Sequence, residues 1–163
     1  MKFNEYYLKE NFKERIMTIN LEHPESWLGI TSDNVNNELP DNFSSGKFIH
    51  FTNKTPERIL ETGFKGVRYM NDLMGEPPTK ENKIDIGVDV IFAFPLDLSE
   101  ASFYSALKTY GRNAIIFQSE SALEIFSPID YQFEYLISVN DINNAVPIEN
   151  ISYSQFKQLM MEK

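Results

Sequence analysis

The chain of 163 residues carries 15 Lys+Arg against 24 Asp+Glu, a net charge of −9, with 42% apolar residues, 13% aromatics and no cysteine. That apolar share at this length makes one packed domain and excludes disordered and fibrous classes. The missing thiols exclude a disulfide framework, thiolate metal sites and a cysteine nucleophile. An acidic surface repels phosphate backbones, so extended contact with DNA or RNA is not expected, and His23 and His50 are the whole imidazole inventory.

The amino terminus is studded with charges and fits neither a secretory signal nor a membrane span, so the cytoplasm is the expected compartment, with delivery by a non-Sec route left open. Leu8, Phe12 and Ile16 recur at helical spacing and predict an amphipathic helix over 4–18. From Glu22 to Lys47 the chain is rich in Pro, Asn, Asp and Ser, including the Ser44-Ser45-Gly46 turn, and reads as irregular, pinned by Trp27 and Leu28.

Regular structure is predicted to resume at Lys47–Thr52, where Phe48, His50 and Thr52 alternate with Ile49 and Phe51, the period of a strand. Thr55 as cap, Pro56, Glu57 and the stop at Gly63 then punctuate a short helix. Val67–Asp89 reads as a loop, centred on Met70–Lys83, between short extended pieces, and the apolar run Val88–Phe94 as a buried strand. Ser99 caps a helix with Phe103, Leu107 and Tyr110 on one face, ended by Gly111. Strands follow at Asn113–Gln118 and Tyr131–Val139, and Ser152 with Gln155 forms a capping box ahead of a closing helix. In the last strand Gln132, Glu134, Leu136 and Ser138 share one face, opposite Tyr131, Phe133, Tyr135 and Ile137.

Common chemistries fail on inventory. No glycine-rich phosphate loop, no nucleophile elbow and no zinc-ligand spacing is present. A histidine on one strand and a carboxylate on another remain. Taken alone, Gln-x-Glu reads as the solvated face of a sheet and His50 as a hydrogen-bonded core histidine. Arg68 and Arg112 are candidate pyrophosphate ligands or plain surface arginines, and Asp85 and Asp89 read as solvated.

The order of these pieces changes the reading. FIHFTNKTPERILETGFKG, then VIFAFP with SFYSALKTYG, then DYQFEYLIS, resembles the three motifs of the ADP-ribosyltransferase-like fold, over residues 47 to about 150. The resemblance implies an α+β fold with a split, mostly antiparallel sheet core over 47–163, on which residues 1–46 pack as helix and loop within a single domain. It implies NAD as substrate, with His50 on a ribose hydroxyl and Thr52 beside it. Phe92 and either Phe103 or Tyr104 would flank the nicotinamide, Glu134 would stand beside the nicotinamide ribose, and Gln132 would orient an acceptor side chain. Phe51 stands where many members carry glycine, its backbone facing the nicotinamide amide, and Phe92 stands where many carry tyrosine.

The expected function is an NAD-dependent mono-ADP-ribosyltransferase acting on a protein, of the kind found as toxins, effectors or phage-borne modifiers, without metal, membrane or stable dimer. The alternatives are a scaffold that binds a partner without turnover and, with a basic stripe as its signature, transfer of an RNA 2′-phosphate to NAD.

Overall fold

A computed structural model describes residues 12–19, 22, 43–69, 85–127 and 132–162, with the backbone alone at 125–127, 132 and 133. The positions of Leu8, Trp27 and Leu28, and the whole of the Met70–Lys83 loop, lie outside the described residues.

The architecture is α+β. Helix α1 covers 12–19. Strand β1 (Phe43–Thr52), helix α2 (Pro56–Thr62), strands β2 (Val67–Tyr69) and β3 (Asp85–Pro95), and helix α3 (Glu100–Tyr110) follow. The chain then forms β4 (Asn113–Ser127), β5 (Gln132–Ser138), a 3-10 turn at Val139–Asp141, β6 (Asn143–Ile148) and helix α4 (Tyr153–Met161). No helix among the described residues is long and apolar enough to cross a membrane.

The helices start and stop where side chains satisfy the unpaired backbone groups of their ends. The Ser99 side chain accepts from the Ser102 N–H, and Ser152 with Gln155 makes both bonds of a capping box. Thr55 differs from expectation: its side chain makes no capping bond, and α2 begins on the fixed backbone of Pro56 alone. On α1, Phe12, Ile16 and Ile19 are wholly buried, against Ile86, Val88, Val90, Leu123 and Leu136. The rings of Phe103 and Phe156, with centroids 5.0 Å apart, join α3 to α4 over a second apolar group that includes Ile49, Phe51, Phe94 and Ala114.

All strand pairings are antiparallel, in the order β1-β3-β5-β4-β6, and β4 also returns to pair with β1, so four strands close a circuit. The circuit closes because β4 changes partners along its length. Along one edge its first part runs beside β6 and its last part beside β5, from Leu123↔Leu136 to Ser127↔Gln132, while β1 follows the other edge from Asn113 to Leu123. Between these parts lies an irregular stretch that Asp141 ties down. This wholly buried carboxylate accepts through Oδ2 from Ser119 Oγ (2.8 Å), Ser121 Oγ (2.7 Å) and the N–H groups of Glu120 (2.9 Å) and Ser121 (2.8 Å). Burial pushes its pKa up, but the bonds from Ser121, Ser119 and the Glu120 N–H outweigh that and hold it below the ordinary carboxylate value.

Several strands run further than the sequence predicts. Ser44-Ser45-Gly46, expected as a turn, lies inside β1, whose register shifts by a bulge between Ser44 and Gly46. β4 continues nine residues past Gln118 to Ser127, and β6 was not predicted. The face of β5 expected to meet solvent is covered: Glu134 is 5% exposed and Ser138 1%. Leu136 on that face packs under α1, and the end of α3 reaches Glu134.

Candidate functional site

One edge of β3 is shared between two strands. Phe94 and Pro95 pair with β1, through Ile49 and Phe48, while Val90 pairs with Val67 of β2. Ile91–Ala93 between them have no strand partner on that edge among the described residues, and the sheet opens there. Beyond Ile49, β1 runs on beside β4, with His50↔Ile115 and Phe51↔Ala114.

His50 is the first residue past the last β1–β3 pair. Its Nδ1 lies 2.7 Å from the backbone carbonyl of Phe92, so the side chain supplies the donor that a continuing ladder would have supplied. A carbonyl only accepts, which puts the proton on Nδ1. Burial lowers the His50 pKa from its ordinary value, with the Phe92 bond acting against it, so the ring is neutral at neutral pH and Nε2 presents a lone pair. Nε2 has no hydrogen-bond partner among the described residues.

Two chambers meet at His50. The outer one, about 540 Å3, lies between the end of β1 and α2 and is lined by Lys54, Arg58 and Lys65 together with Thr52 and Asn53. No carboxylate lines it among the described residues, and none of the three cations is ion-paired there. On a chain of net charge −9 this is a concentrated positive wall. The inner chamber, about 170 Å3, is lined by His50, Gly66, Val90, Phe92, Phe94 and Tyr110. Gly66 sets how narrow it is. A Cβ there would stand 2.6 Å from the Val90 carbonyl oxygen, so only a bare α-carbon lets the lead-in to β2 lie this close to β3.

Tyr110 ends α3, and its hydroxyl donates to Oε1 of Glu134 at 3.0 Å. The next residue, Gly111, takes φ +136, and a Cβ on it would fall 2.3 Å from the Thr52 carbonyl carbon. The absent side chain therefore lets the end of α3 press against the end of β1 and brings the Tyr110 ring to the opening. Glu134 itself does not line the chamber. It stands behind Tyr110, whose ring does.

The residues singled out in the sequence are thus partly gathered. His50, Phe51 and Phe92 meet at the inner chamber, and Thr52 lines the outer one, its Oγ1 accepting from the Lys54 N–H. The Phe51 side chain is buried, edge-on to Phe94 and Phe103. Phe103 is wholly buried among Phe51, Phe156 and Tyr153 and offers no face to a ligand. Tyr104, 52% exposed, lines a separate groove with Lys108 and Arg112. The Gln132 backbone opens β5 opposite Ser127, and its side chain lies outside the described residues.

Arg68 lines neither chamber and is paired with Asp85 at 2.9 Å. Asp85, read as solvated, also accepts from the Gly87 N–H at 2.8 Å. Burial raises the Asp85 pKa, but the bonds from Gly87 and Arg68 prevail and lower it. No group of potential metal ligands occurs among the described residues.

Tyr110, Lys54 and Lys65 were not singled out as site residues. Lys65 follows the Gly63-Phe64 end of α2 and Tyr110 precedes a helix-ending glycine, so both sit where the chain turns back toward β1 or β3, the signal that marks them. Compared with protein-family models, curated proteins and solved structures, the chain matches none.

Proposed function

We propose that the chain binds NAD in the opening of the sheet, breaks its nicotinamide–ribose bond and transfers ADP-ribose to a protein acceptor. The split sheet is then an ADP-ribosyltransferase-like core, as the sequence motifs imply. The observation that carries the reading is the juxtaposition at one opening of a cation-lined chamber, a neutral histidine, and an aromatic chamber backed by the buried carboxylate of Glu134.

Each part of NAD has a matching chemistry. The diphosphate is neutralised by Lys54, Arg58 and Lys65. A ribose hydroxyl donates to Nε2 of His50, which as a neutral imidazole accepts. The flat nicotinamide enters the narrow chamber beside Phe92 and Phe94. When the C–N bond breaks, its electron pair passes to the ring nitrogen and releases neutral nicotinamide. The ribose carbon becomes oxocarbenium-like, and the Glu134 carboxylate stabilises that charge, the need that glycosidases meet with an acidic residue. The acceptor's lone pair forms the new bond at the same carbon and its proton passes to solvent water. Water as acceptor gives NAD hydrolysis as a side reaction. The acidic surface favours a protein acceptor over a nucleic acid.

A binding protein without turnover is the second reading, favoured by the position of Tyr110 between the chamber and Glu134. The test is nicotinamide release from NAD, with and without cell lysate as acceptor source, for wild type and Glu134→Gln. The transferase reading expects release that lysate stimulates and that the substitution lowers by about 10²–10³-fold. NAD binding by calorimetry without release would favour the second reading, and neither binding nor release would end the first.

A further inference from the structure

Tyr110 belongs to both the chamber and the carboxylate. Its ring lines the inner chamber and packs on Phe94, centroids 5.7 Å apart, while its hydroxyl reaches Glu134. Its backbone is anchored as firmly as its side chain. The Gly111 N–H donates to the Leu107 carbonyl at 3.1 Å, and Gly111 lies against the backbone of Thr52 and Asn53. A phenol held at the ring and at the helix end has little freedom to follow a moving carboxylate, so it offers Glu134 a donor fixed in place.

We infer that Tyr110 is a positioning residue: its hydroxyl fixes the orientation of the Glu134 carboxylate behind the wall that Tyr110 gives the inner chamber. This rests on the reading of Glu134 as the group that stabilises the breaking glycosidic bond. A carboxylate of 5% exposure is cut off from bulk water, and a charge-assisted bond from a fixed donor aims it without the reorganisation a solvated side chain would need. Tyr110 also makes the chamber wall one that accepts a flat ring.

Tyr110→Phe keeps the ring and removes only the hydroxyl. The expected result is a kcat for nicotinamide release about tenfold lower, with KM for NAD within about twofold of wild type and a melting midpoint lower by a few degrees. A second readout does not depend on turnover. The carboxyl carbon of Glu134, identified in the NMR spectrum by its absence in Glu134→Gln, shifts in Tyr110→Phe if the hydroxyl holds it. An unchanged kcat, a change confined to KM, or an unmoved carbon signal each overturns the inference. A wild type that releases no nicotinamide overturns the glycosidic reading instead, and the carbon shift then decides the Tyr110–Glu134 contact by itself.

Discussion

His50 reaches 2.7 Å from Nδ1 to the backbone carbonyl of Phe92, 42 positions later in the chain, across the point where β1 and β3 stop pairing. The bond satisfies a carbonyl that the opening of the sheet would strand, and it fixes which ring nitrogen faces the ligand. A single side chain thereby reconciles the opening with the backbone hydrogen bonding it interrupts.

Burial of the same ring makes stability depend on pH in a defined window, against the opposing effect of the bond. Burial holds the folded pKa of His50 below its ordinary 6.5, so the unfolded chain takes up a proton that the folded chain refuses. Stability from this group is full above 6.5 and is lost as pH falls from there toward the depressed folded value. Denaturation at about pH 7 and about pH 5 will show wild type losing more stability than His50→Asn. Equal losses in the two proteins would refute the assignment.

The positive wall of the outer chamber gives a salt-sensitive prediction. Arg58→Ala and Lys65→Ala should each weaken NAD binding roughly three- to tenfold at low salt, with the difference shrinking as salt rises. Arg112→Ala should leave binding unchanged, because Arg112 lines a separate groove with Tyr104. Calorimetric titrations of the three variants decide the point.

Gly111→Ala should cost about 2–4 kcal/mol. The substitution meets both a φ of +136 and a Thr52 carbonyl carbon 2.3 Å from the new Cβ, and relief requires α3 to back away from β1. Urea unfolding followed by circular dichroism measures the cost, and a loss below about 1 kcal/mol would show that the helix end is not pressed on the strand.

Asp141→Ala strands two hydroxyls and two backbone N–H groups at the irregular stretch of β4, and a loss of about 3 kcal/mol or more is expected. Because its folded pKa lies below the ordinary 3.8, wild type should also lose this contribution as pH falls through 3.8 and below. Asp141→Ala should lack that part of the acid dependence when unfolding is followed against pH.

Legibility in the sequence tracks how local the cause is. Ser99, Ser152 with Gln155, and the stop at Gly111 announce their helices because the bonds that make them close within a few residues. Phe12 and Ile16 likewise declare their buried face by spacing. The second half of β4 was hidden, because Ser119-Glu120-Ser121 is held extended by Asp141, about twenty residues away. Alternation along β5 separated its two faces correctly, yet it could not tell that the Glu134 face lies beneath other elements. At the candidate site His50 was legible as the lone polar side chain in an apolar run. Tyr110 was not, since a tyrosine on the apolar stripe of a helix looks like core until the partner of its hydroxyl is known.

The change of partners along β4 bears on the order in which the protein is made. Phe48 lies opposite Phe117 and His50 opposite Ile115, so most of the hydrogen-bonding length of β1 has no mate until β4 has left the ribosome. β3 offers it only Phe94 and Pro95. During synthesis β1 therefore waits as an apolar, unpaired edge, open to pairing with other chains, and the circuit closes late through contacts between distant positions, a topology that folds slowly. The circuit cannot close before β5, its last member in chain order, has followed β4, and the opening at His50 is the stretch where β1 follows β4 and parts from β3.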